Sequence, residues 1–562
     1  MWNLNKEVMQ LTRKNTYIQI HPADNVLVAL VDIQAGTPIE FGTHTFSLTT
    51  DVSAKHKFAL TDFAPGSPIF MYGVLVGKAC EPISRGAALT VDNIEHASEE
   101  FRLGSRKLEW TKPETGRFEA ASFQGFHRAD GSVGTANYWL IIPLVFCENR
   151  NVDMIREALT EKLGFRKPRG YESEVEAILS MYQTGKTVTE ILEADLTAST
   201  DATHLNKIFP NVDGIKYLSH SLGCGGTRTD SDALCGLLAG YITHPNVAGA
   251  TVLSLGCQHA QASILRSEIE KRDPYFSKPL FILEQQQIGT EEKMLQMALK
   301  QTFAGLVEAN NCHREPAPLS KLCIGLECGG SDGFSGISAN PTLGRLSDIL
   351  ISEGGSVILA EFPELCGVEQ ELSDRCANED LANKFMHLMR TYNARAEADG
   401  SGFYANPSPG NIKDGLITDA IKSAGAAKKG GSSPVTDVLD YPEKVNRSGL
   451  NLLCTPGSDV ESTTAVVGSG ANVVLFTTGL GTPTGNPIAP VVKVSTNSAL
   501  FTRMPDIIDI NCGTIIEGEE SIEQAAERML DYVIQVASGV IVPKAVGLGQ
   551  DDFIPWKRGV SL

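Results

Sequence analysis

Three segments of the chain run an apolar strand straight into a turn that carries a thiol beside glycine. Gly214–His220 leads into Ser221-Leu222-Gly223-Cys224-Gly225-Gly226, Gly249–Gly256 into Cys257-Gln258-His259, and Lys321–Glu327 into Cys328-Gly329-Gly330-Ser331-Asp332. In open α/β sheets ligands bind beyond the carboxyl ends of strands, where glycine lets backbone approach closely. A thiolate is a soft ligand for iron or zinc, imidazole suits both, and His220 and His259 stand beside these turns. Cys224, Cys257 and Cys328 are therefore candidate metal ligands of one site. Three cysteines are also the protein ligands that an iron–sulfur cluster with one open iron needs. The plainer alternative is a small thiol filling a tight corner under each glycine turn.

A second set of residues suits a small polyhydroxylated anion. Cys328–Gly336 is followed by a helix start at Asn340-Pro341, and Asn406-Pro407-Ser408-Pro409-Gly410-Asn411 and Thr477-Thr478-Gly479-Leu480-Gly481-Thr482 share its composition. Backbone N–H groups and hydroxyls at such turns hold carboxylates or phosphates. None of the three fits a P-loop or a dinucleotide fingerprint. Ser331, Asp332, Asn406, Ser408 and Asn411 are candidate substrate contacts, with Lys413 and Lys493 as cations beside the turns. Capping and turn chemistry alone accounts for part of this set. The histidines His21, His44, His56 and His96 of the amino-terminal region read first as surface or hydrogen-bonded residues.

These residues sit in a chain of 562 residues, too long for one ordinary core. A net charge of −19 argues against nucleic acid or an anionic membrane as partner, and runs such as Tyr138–Cys147 are too short to span a bilayer. Met1–Lys6 opens no apolar core of a signal peptide, so a cytoplasmic protein is expected. Its twelve cysteines then read as reduced thiols. Cys80, Cys235, Cys312, Cys323, Cys366, Cys376, Cys454 and Cys512 read as small buried hydrophobes.

The spacing predicts three domains of α/β class. Residues 1–97 carry short strands between Gly/Pro turns: Asn25–Ile33, Phe46–Thr50, Lys57–Leu60, Ile69–Val76 and Ala87–Val91. Residues 98–120 read as a linker. Residues 121–315 and 316–562 alternate apolar strands with helices, which predicts two Rossmann-like domains with mostly parallel sheets. An amphipathic helix over Ser521–Ala537 precedes a polar tail.

On these motifs the chain resembles the altronate/galactarate dehydratases. The amino-terminal part is similar to their SAF domain, a β-clip-like fold, through His21–Val26, His56–Leu60 and Tyr72–Gly77. The middle matches at Asp130–Thr135, His220–Cys224, His244–Asn246, Leu255–Cys257 and Gln285–Gln287. The last third matches at Gly325–Gly333, Ala339–Pro341, Asn406–Asn411 and the Lys493…Asn497 segment. The chain departs from the family where His-x-His-Asn becomes Thr90-Val91-Asp92-Asn93, and where Arg is commonly found but Ala136 and Leu480 stand.

The resemblance implies a hydro-lyase with a ferrous-iron requirement, the iron mononuclear or in a labile iron–sulfur cluster. The reaction implied is loss of water from D-altronate to give 2-keto-3-deoxy-D-gluconate in hexuronate catabolism. A base takes the weakly acidic C2 proton, a metal bound to the carboxylate and an adjacent hydroxyl stabilises the resulting dianion, and an acid protonates the leaving hydroxyl. His220 is the expected acid/base, with Lys493 as a second catalytic candidate. The partner is a small sugar acid, and a homo-oligomer is expected. A galactarate dehydratase and a non-catalytic sugar-acid sensor are the alternatives.

Overall fold

Strand pairing in the amino-terminal region follows its turn residues. In the computed structural model, which describes residues 16–99, 101–104, 106–166, 171–196 and 207–561, this region is built of short antiparallel ladders. Met1–Lys6 lies outside the described residues. Val26–Ala29 pairs with Tyr17–Ile18 and with Lys57–Ala59, and Pro38–Phe41 pairs with His44–Ser47. The expected single strand over 69–76 is instead a hairpin of Pro68–Met71 and Val74–Ala79. Tyr72 and Gly73 both take positive φ, 60° and 79°, as a two-residue turn matched to strand twist requires. Ala87–Val91 forms no strand and contributes an isolated bridge from Ala88 to Phe58. The described residues of segment 98–120 lie along the carboxyl-terminal domain. There the Lys107 N–H donates to Asp374 O at 2.8 Å and Trp110 Nε1 to Ser432 Oγ at 3.2 Å.

The middle domain is a four-stranded parallel sheet ordered Gly214–Tyr217, Tyr138–Pro143, Val247–Ser254, Leu280–Glu284. Its central strands are buried along their whole length, which is why they read as unbroken apolar runs. Helices Asn149–Thr160, Arg228–Thr243, Ala262–Arg272 and Glu291–Ala309 connect or cover them. The first strand in sequence lies inside the sheet, so the winding reverses between Tyr138–Pro143 and Val247–Ser254. Helices Glu172–Gln183 and Val188–Leu192 were not foreseen. They bury no side chain: Val175, Leu179 and Tyr182 recur at helical spacing but stay exposed.

The carboxyl-terminal domain holds seven parallel strands. Their order is Val435–Leu439, Gly449–Leu453, Ser356–Leu359, Cys323–Cys328, Val473–Thr478, Val491–Ser495, Ile510–Asn511. Here too the first strand in sequence is internal, and the winding reverses between Cys323–Cys328 and Val473–Thr478. A small antiparallel sheet of Ser122–His127, Val133–Gly134 and Arg314–Pro318 ties the two α/β units together.

The tail after helix Ile522–Ala537 is not free, as a polar tail would be. Asp551 pairs with Lys216 at 2.7 Å, Phe553 packs edge-on to Tyr241, and Ser561 bridges Gly226. No helix among the described residues is long and apolar enough to cross a membrane.

Helix Arg228–Thr243 of the middle domain crosses helix Asp459–Gly468 of the carboxyl-terminal domain at two glycines. A Cβ on Gly240 would lie 2.1 Å from Gly468 O, and backbone oxygen cannot move aside as a side chain can. Gly240→Ala is therefore expected to lower stability by about 1–3 kcal/mol, the scale of overpacking. Urea denaturation checks this; an unchanged midpoint would mean the helices separate freely.

Candidate active site

The reversal point of the seven-stranded sheet carries a closed cluster of charge. Cys328 ends its strand, and the chain leaving Ser356–Leu359 turns at once through Glu361 to Glu364. Glu361 holds φ at 64°, a left-handed conformation costing a non-glycine residue about 1–3 kcal/mol. The strain aims its carboxylate back at the strand end, where Oε2 accepts from the Cys328 N–H at 3.2 Å. Lys429 reaches the same point, 2.9 Å from Cys328 Sγ and 2.8 Å from Glu361 Oε2. The thiol also lies 3.0 Å from Glu364 Oε2, and Lys422 stands 2.7 Å from Glu364 Oε1. Ser462 donates to Glu327 Oε1 at 2.9 Å. One oxygen each of Glu327 and Glu361 is buried with no hydrogen-bond partner.

Burial dominates the titration of these groups. It pushes the Glu361 carboxyl up to about 7 against the pull of Lys429, and the Asp459 carboxyl up to about 6, with Glu364 adding to it. It drives Glu327 well above the carboxylate range, helped by Glu361, and holds the Cys328 thiol protonated, helped by Glu361 and Glu364. Glu364 goes the other way: burial opposes its ionisation, but Lys422 and Lys429 outweigh it.

Cys328, Glu361 and Glu364 offer three ligand atoms within 4.8 Å of one another. They do not fit a metal ion as they stand. The Lys429 ammonium already touches the thiol and Glu361, and two lysines balance the two carboxylates they pair with. A further cation there would meet both.

The glycine turns do converge beside this cluster. Asn411 Nδ2 donates to Ser331 O at 2.8 Å, and the N–H groups of Gly479 and Leu480 both donate to Gly330 O at 3.0 Å. Asp332 is wholly buried and accepts from Thr496 Oγ1 at 2.9 Å and Asn497 Nδ2 at 3.2 Å. Asn406 Oδ1 accepts from Lys422 at 2.8 Å. Ser408 is exposed and, with Asn411, makes the capping box of the short helix Pro409–Lys413. Of the two, Asn411 also holds the Ser331 turn.

The amino-terminal domain closes the arrangement. Lys55 lies 3.1 Å from Asp332 and 2.7 Å from Asp414, and Lys57 donates to Gly415 O at 2.5 Å. Burial takes Lys57 down to about 7, with Asp332 opposing. His56 meets Lys413 O at 3.1 Å, and His96 pairs with Asp419, which raises its pKa. Lys493 is buried one layer away, its Nζ 5.0 Å from the Phe476 ring centre and donating to Thr484 O. Burial lowers it to about 8.

Three expected members are elsewhere. His220, Cys224 and Cys257 belong to the four-stranded sheet of the middle domain, whereas Cys328 belongs to the seven-stranded one. Strand-end spacing could not tell the sheets apart. His220 is no acid/base: Nε2 lies 2.7 Å from Pro143 O and Nδ1 accepts from the Leu222 N–H at 3.1 Å. Both ring nitrogens are occupied by backbone, and burial lowers the ring to about 4. It is a neutral pin for its turn. The cluster's own Glu327, Glu361, Glu364, Lys422 and Lys429 were missed. Glu361 and Glu364 directly follow an apolar strand, and Lys422 and Lys429 interrupt a small-residue helix and its exit. Those were the available signals.

Removing one member of a buried charge set leaves the others uncompensated. Lys429→Met is expected to destabilise the protein by roughly 3–5 kcal/mol in chemical denaturation. A loss below 1 kcal/mol would show that water already reaches the cluster.

The chain matches, over residues 15–97, the SAF domain of altronate/galactarate dehydratases. Residues 125–310 match the second domain of D-galactarate dehydratase/altronate hydrolase, and residues 319–561 the carboxyl-terminal domain of D-galactarate/altronate dehydratase. It is 34% identical over 527 residues to the altronate dehydratase of Bacillus subtilis strain 168, covering 94% of this chain and 96% of that protein. The altronate dehydratase of Escherichia coli K12 is also 34% identical, over 93% of this chain and 95% of its own length. The galactarate dehydratase (L-threo-forming) of Escherichia coli K12 is 32% identical over 95% of each. Resemblance in all three domains, at this identity and along nearly the whole length, has one meaning: the chain belongs to the altronate/galactarate dehydratase family.

Proposed function

We propose that this enzyme removes water from D-altronate to give 2-keto-3-deoxy-D-gluconate, and that the Glu361–Lys429–Cys328 cluster carries the proton transfers. The observation behind the assignment is Glu361 itself: a strained, fully buried carboxylate with one unpartnered oxygen and a pKa of about 7. A base near neutrality suits abstraction of a carbon-bound proton. Glu361 takes the C2 proton, and the electron pair moves to form the C2–C3 double bond as the C3–O bond breaks. The departing hydroxide leaves as water with a proton from the acidic side of the cluster, where the Cys328 thiol and Glu327 are held protonated. The resulting enol becomes the 2-keto acid. Lys422 and Lys429 supply positive charge as the substrate carboxylate gains electron density.

Iron is proposed as a cofactor held outside the Cys328–Glu361–Glu364 group; where bound, it would supply Lewis-acid chemistry toward a substrate oxygen. Exposed free thiols suit a reducing compartment, and we place the enzyme in the cytoplasm.

An aldonate is favoured over an aldarate because a second carboxylate needs its own cation. Leu480, whose N–H lies on Gly330 O, leaves that side of the reversal point without an arginine side chain from its own position. Ala136 is buried in the apolar core shared by the two α/β domains. Arg128 cannot substitute, since its guanidinium is spent on Pro245 O, Ala136 O and Asn137 Oδ1.

Altronate and galactarate should be compared anaerobically with added Fe(II). A much higher kcat/KM for altronate is expected, and equal values would overturn the assignment. The sign of the pH dependence follows from Glu361, which is protonated and inactive as a base below about 7. kcat/KM for altronate should therefore rise through neutrality, and Glu361→Gln should abolish turnover per molecule that circular dichroism shows to be folded. Wild-type rates unchanged between pH 5 and pH 8, the span bracketing that pKa of about 7, would remove Glu361 from the role.

A further inference from the structure

Most cysteines of this chain are at least partly hidden, as thiols usually are. Cys235, Cys328, Cys376, Cys454 and Cys512 are buried and Cys312, Cys323 and Cys366 intermediate; Cys80, Cys147, Cys224 and Cys257 are exposed. Three of those four exposed thiols stand at one edge of one sheet. The parallel register places Ile141, Tyr217 and Thr251 in a row across the three neighbouring strands. Cys147, Cys224 and Cys257 follow that row by six, seven and six residues respectively.

The loops that carry them are bonded to one another. The Phe146 N–H donates to Leu222 O at 3.0 Å, and the Ala260 N–H to Gly223 O at 3.1 Å. Gly223 takes φ of 100° and passes so close to the first loop that a Cβ would lie 2.4 Å from Leu144 O. Gly256, just before Cys257, takes φ of 125°. His220 pins the Cys224 turn to Pro143, four residues before Cys147. This edge is also where the winding of the sheet reverses, the usual ligand position of an open α/β sheet. Cys224 lines a cavity of about 270 Å³ there, with Phe146, Ser221, Leu222, Lys557 and Ser561 among its walls. That is the space of about nine waters, far more than one ion fills.

We infer that Cys147, Cys224 and Cys257 hold an iron–sulfur cluster whose remaining iron has no protein ligand. A single ion is the poorer occupant. One tetrahedral ion with metal–sulfur bonds of ~2.3 Å would draw three sulfurs to about 3.8 Å of one another. The three sulfurs do not all lie within 4.8 Å of each other. A cubane cluster sets each thiolate on a different iron and so spans a wider triangle, and three cysteines leave its fourth iron open. Cys328, in a different sheet and beside Lys429, is no part of it.

The test uses the full chain and needs no substrate, so it stands or falls apart from the altronate assignment. The protein is reconstituted anaerobically with Fe(II) and sulfide, desalted, and assayed for iron, acid-labile sulfide and thiolate-to-iron absorption in the visible. Wild type should retain iron and sulfide in equal amounts. Cys147→Ser, Cys224→Ser and Cys257→Ser should each lose roughly tenfold or more of both, a scale reached even by partners one step removed from a metal. Cys80→Ser and Cys328→Ser should match wild type, and circular dichroism with thermal melting confirms that each variant is folded. Full retention by folded Cys147→Ser, loss in Cys328→Ser, or iron bound without sulfide would each overturn the inference.

Discussion

Lys422 and Lys429 are set among Glu361, Glu364 and the Cys328 thiol where water is excluded, and the cost of isolating any one of them dictates their surroundings. Burial raises both carboxyls, and only at Glu364 do the neighbouring lysines outweigh it, which is why Glu361 rises and Glu364 falls within one cluster. A buried ion set seldom adds net stability over packed apolar residues of the same volume. Its presence at a strand end, with a strained residue and two orphaned carboxylate oxygens, is better accounted for by proton transfer. The helix that brings Lys422 is built almost wholly of small and apolar residues, so it can approach the sheet closely enough for the ammonium to reach Glu364.

The same sheet geometry is used twice with opposite results. In both α/β units the first strand is internal and the winding reverses beside it. In the carboxyl-terminal unit the strand end is capped by neighbouring elements and becomes a buried polar interior. In the middle unit it stays open, with exposed thiols at the sheet edge and Cys224 lining a cavity. Histidine serves as a fastening in the middle unit. His220 and His244 each accept a backbone N–H two residues on through Nδ1 and meet a distant carbonyl through Nε2. A ring held this way stays neutral on burial and fixes a turn without bringing charge to it.

The α/β class and the strand-end turns were legible because buried parallel strands read as unbroken apolar runs and glycine marks their exits. The turn of Ser331 and Asp332 was legible for the same reason, whereas Asn406 and Asn411 follow a helix and a 3₁₀ turn rather than a strand. What the spacing could not convey was sheet membership: Cys224, Cys257 and Cys328 have alike local sequences, and only pairing separates them. Cys147 escaped notice because its strand ends in a 3₁₀ turn without glycine. Glu361, Glu364, Lys422 and Lys429 looked like solvated charges, since each is remote in sequence from the others and only tertiary packing buries them. The hairpin at Tyr72-Gly73 was hidden because a tyrosine occupies a conformation usually left to glycine or asparagine.

An acidic chain of net charge −19 must still admit an anion to this interior. The amino-terminal domain resolves the conflict locally. Its strand edge brings Lys55 and Lys57 against Asp332 and Gly415, and glycine at 333 and 415 lets the Lys55 backbone come within contact of both turns. Lys55 is the more open of the two, with 19% of its side chain accessible. Burial works against its charge, yet Asp332 and Asp414 hold its pKa above the ordinary lysine value, so it stays cationic. The domain boundary thus carries a positive charge shared between Asp332 and Asp414. Wholly buried and tied to Thr496 and Asn497, Asp332 needs Lys55 as its counter-ion. Separation of the amino-terminal domain would leave that carboxylate unpaired, so docking of the domain and the integrity of the site are one equilibrium.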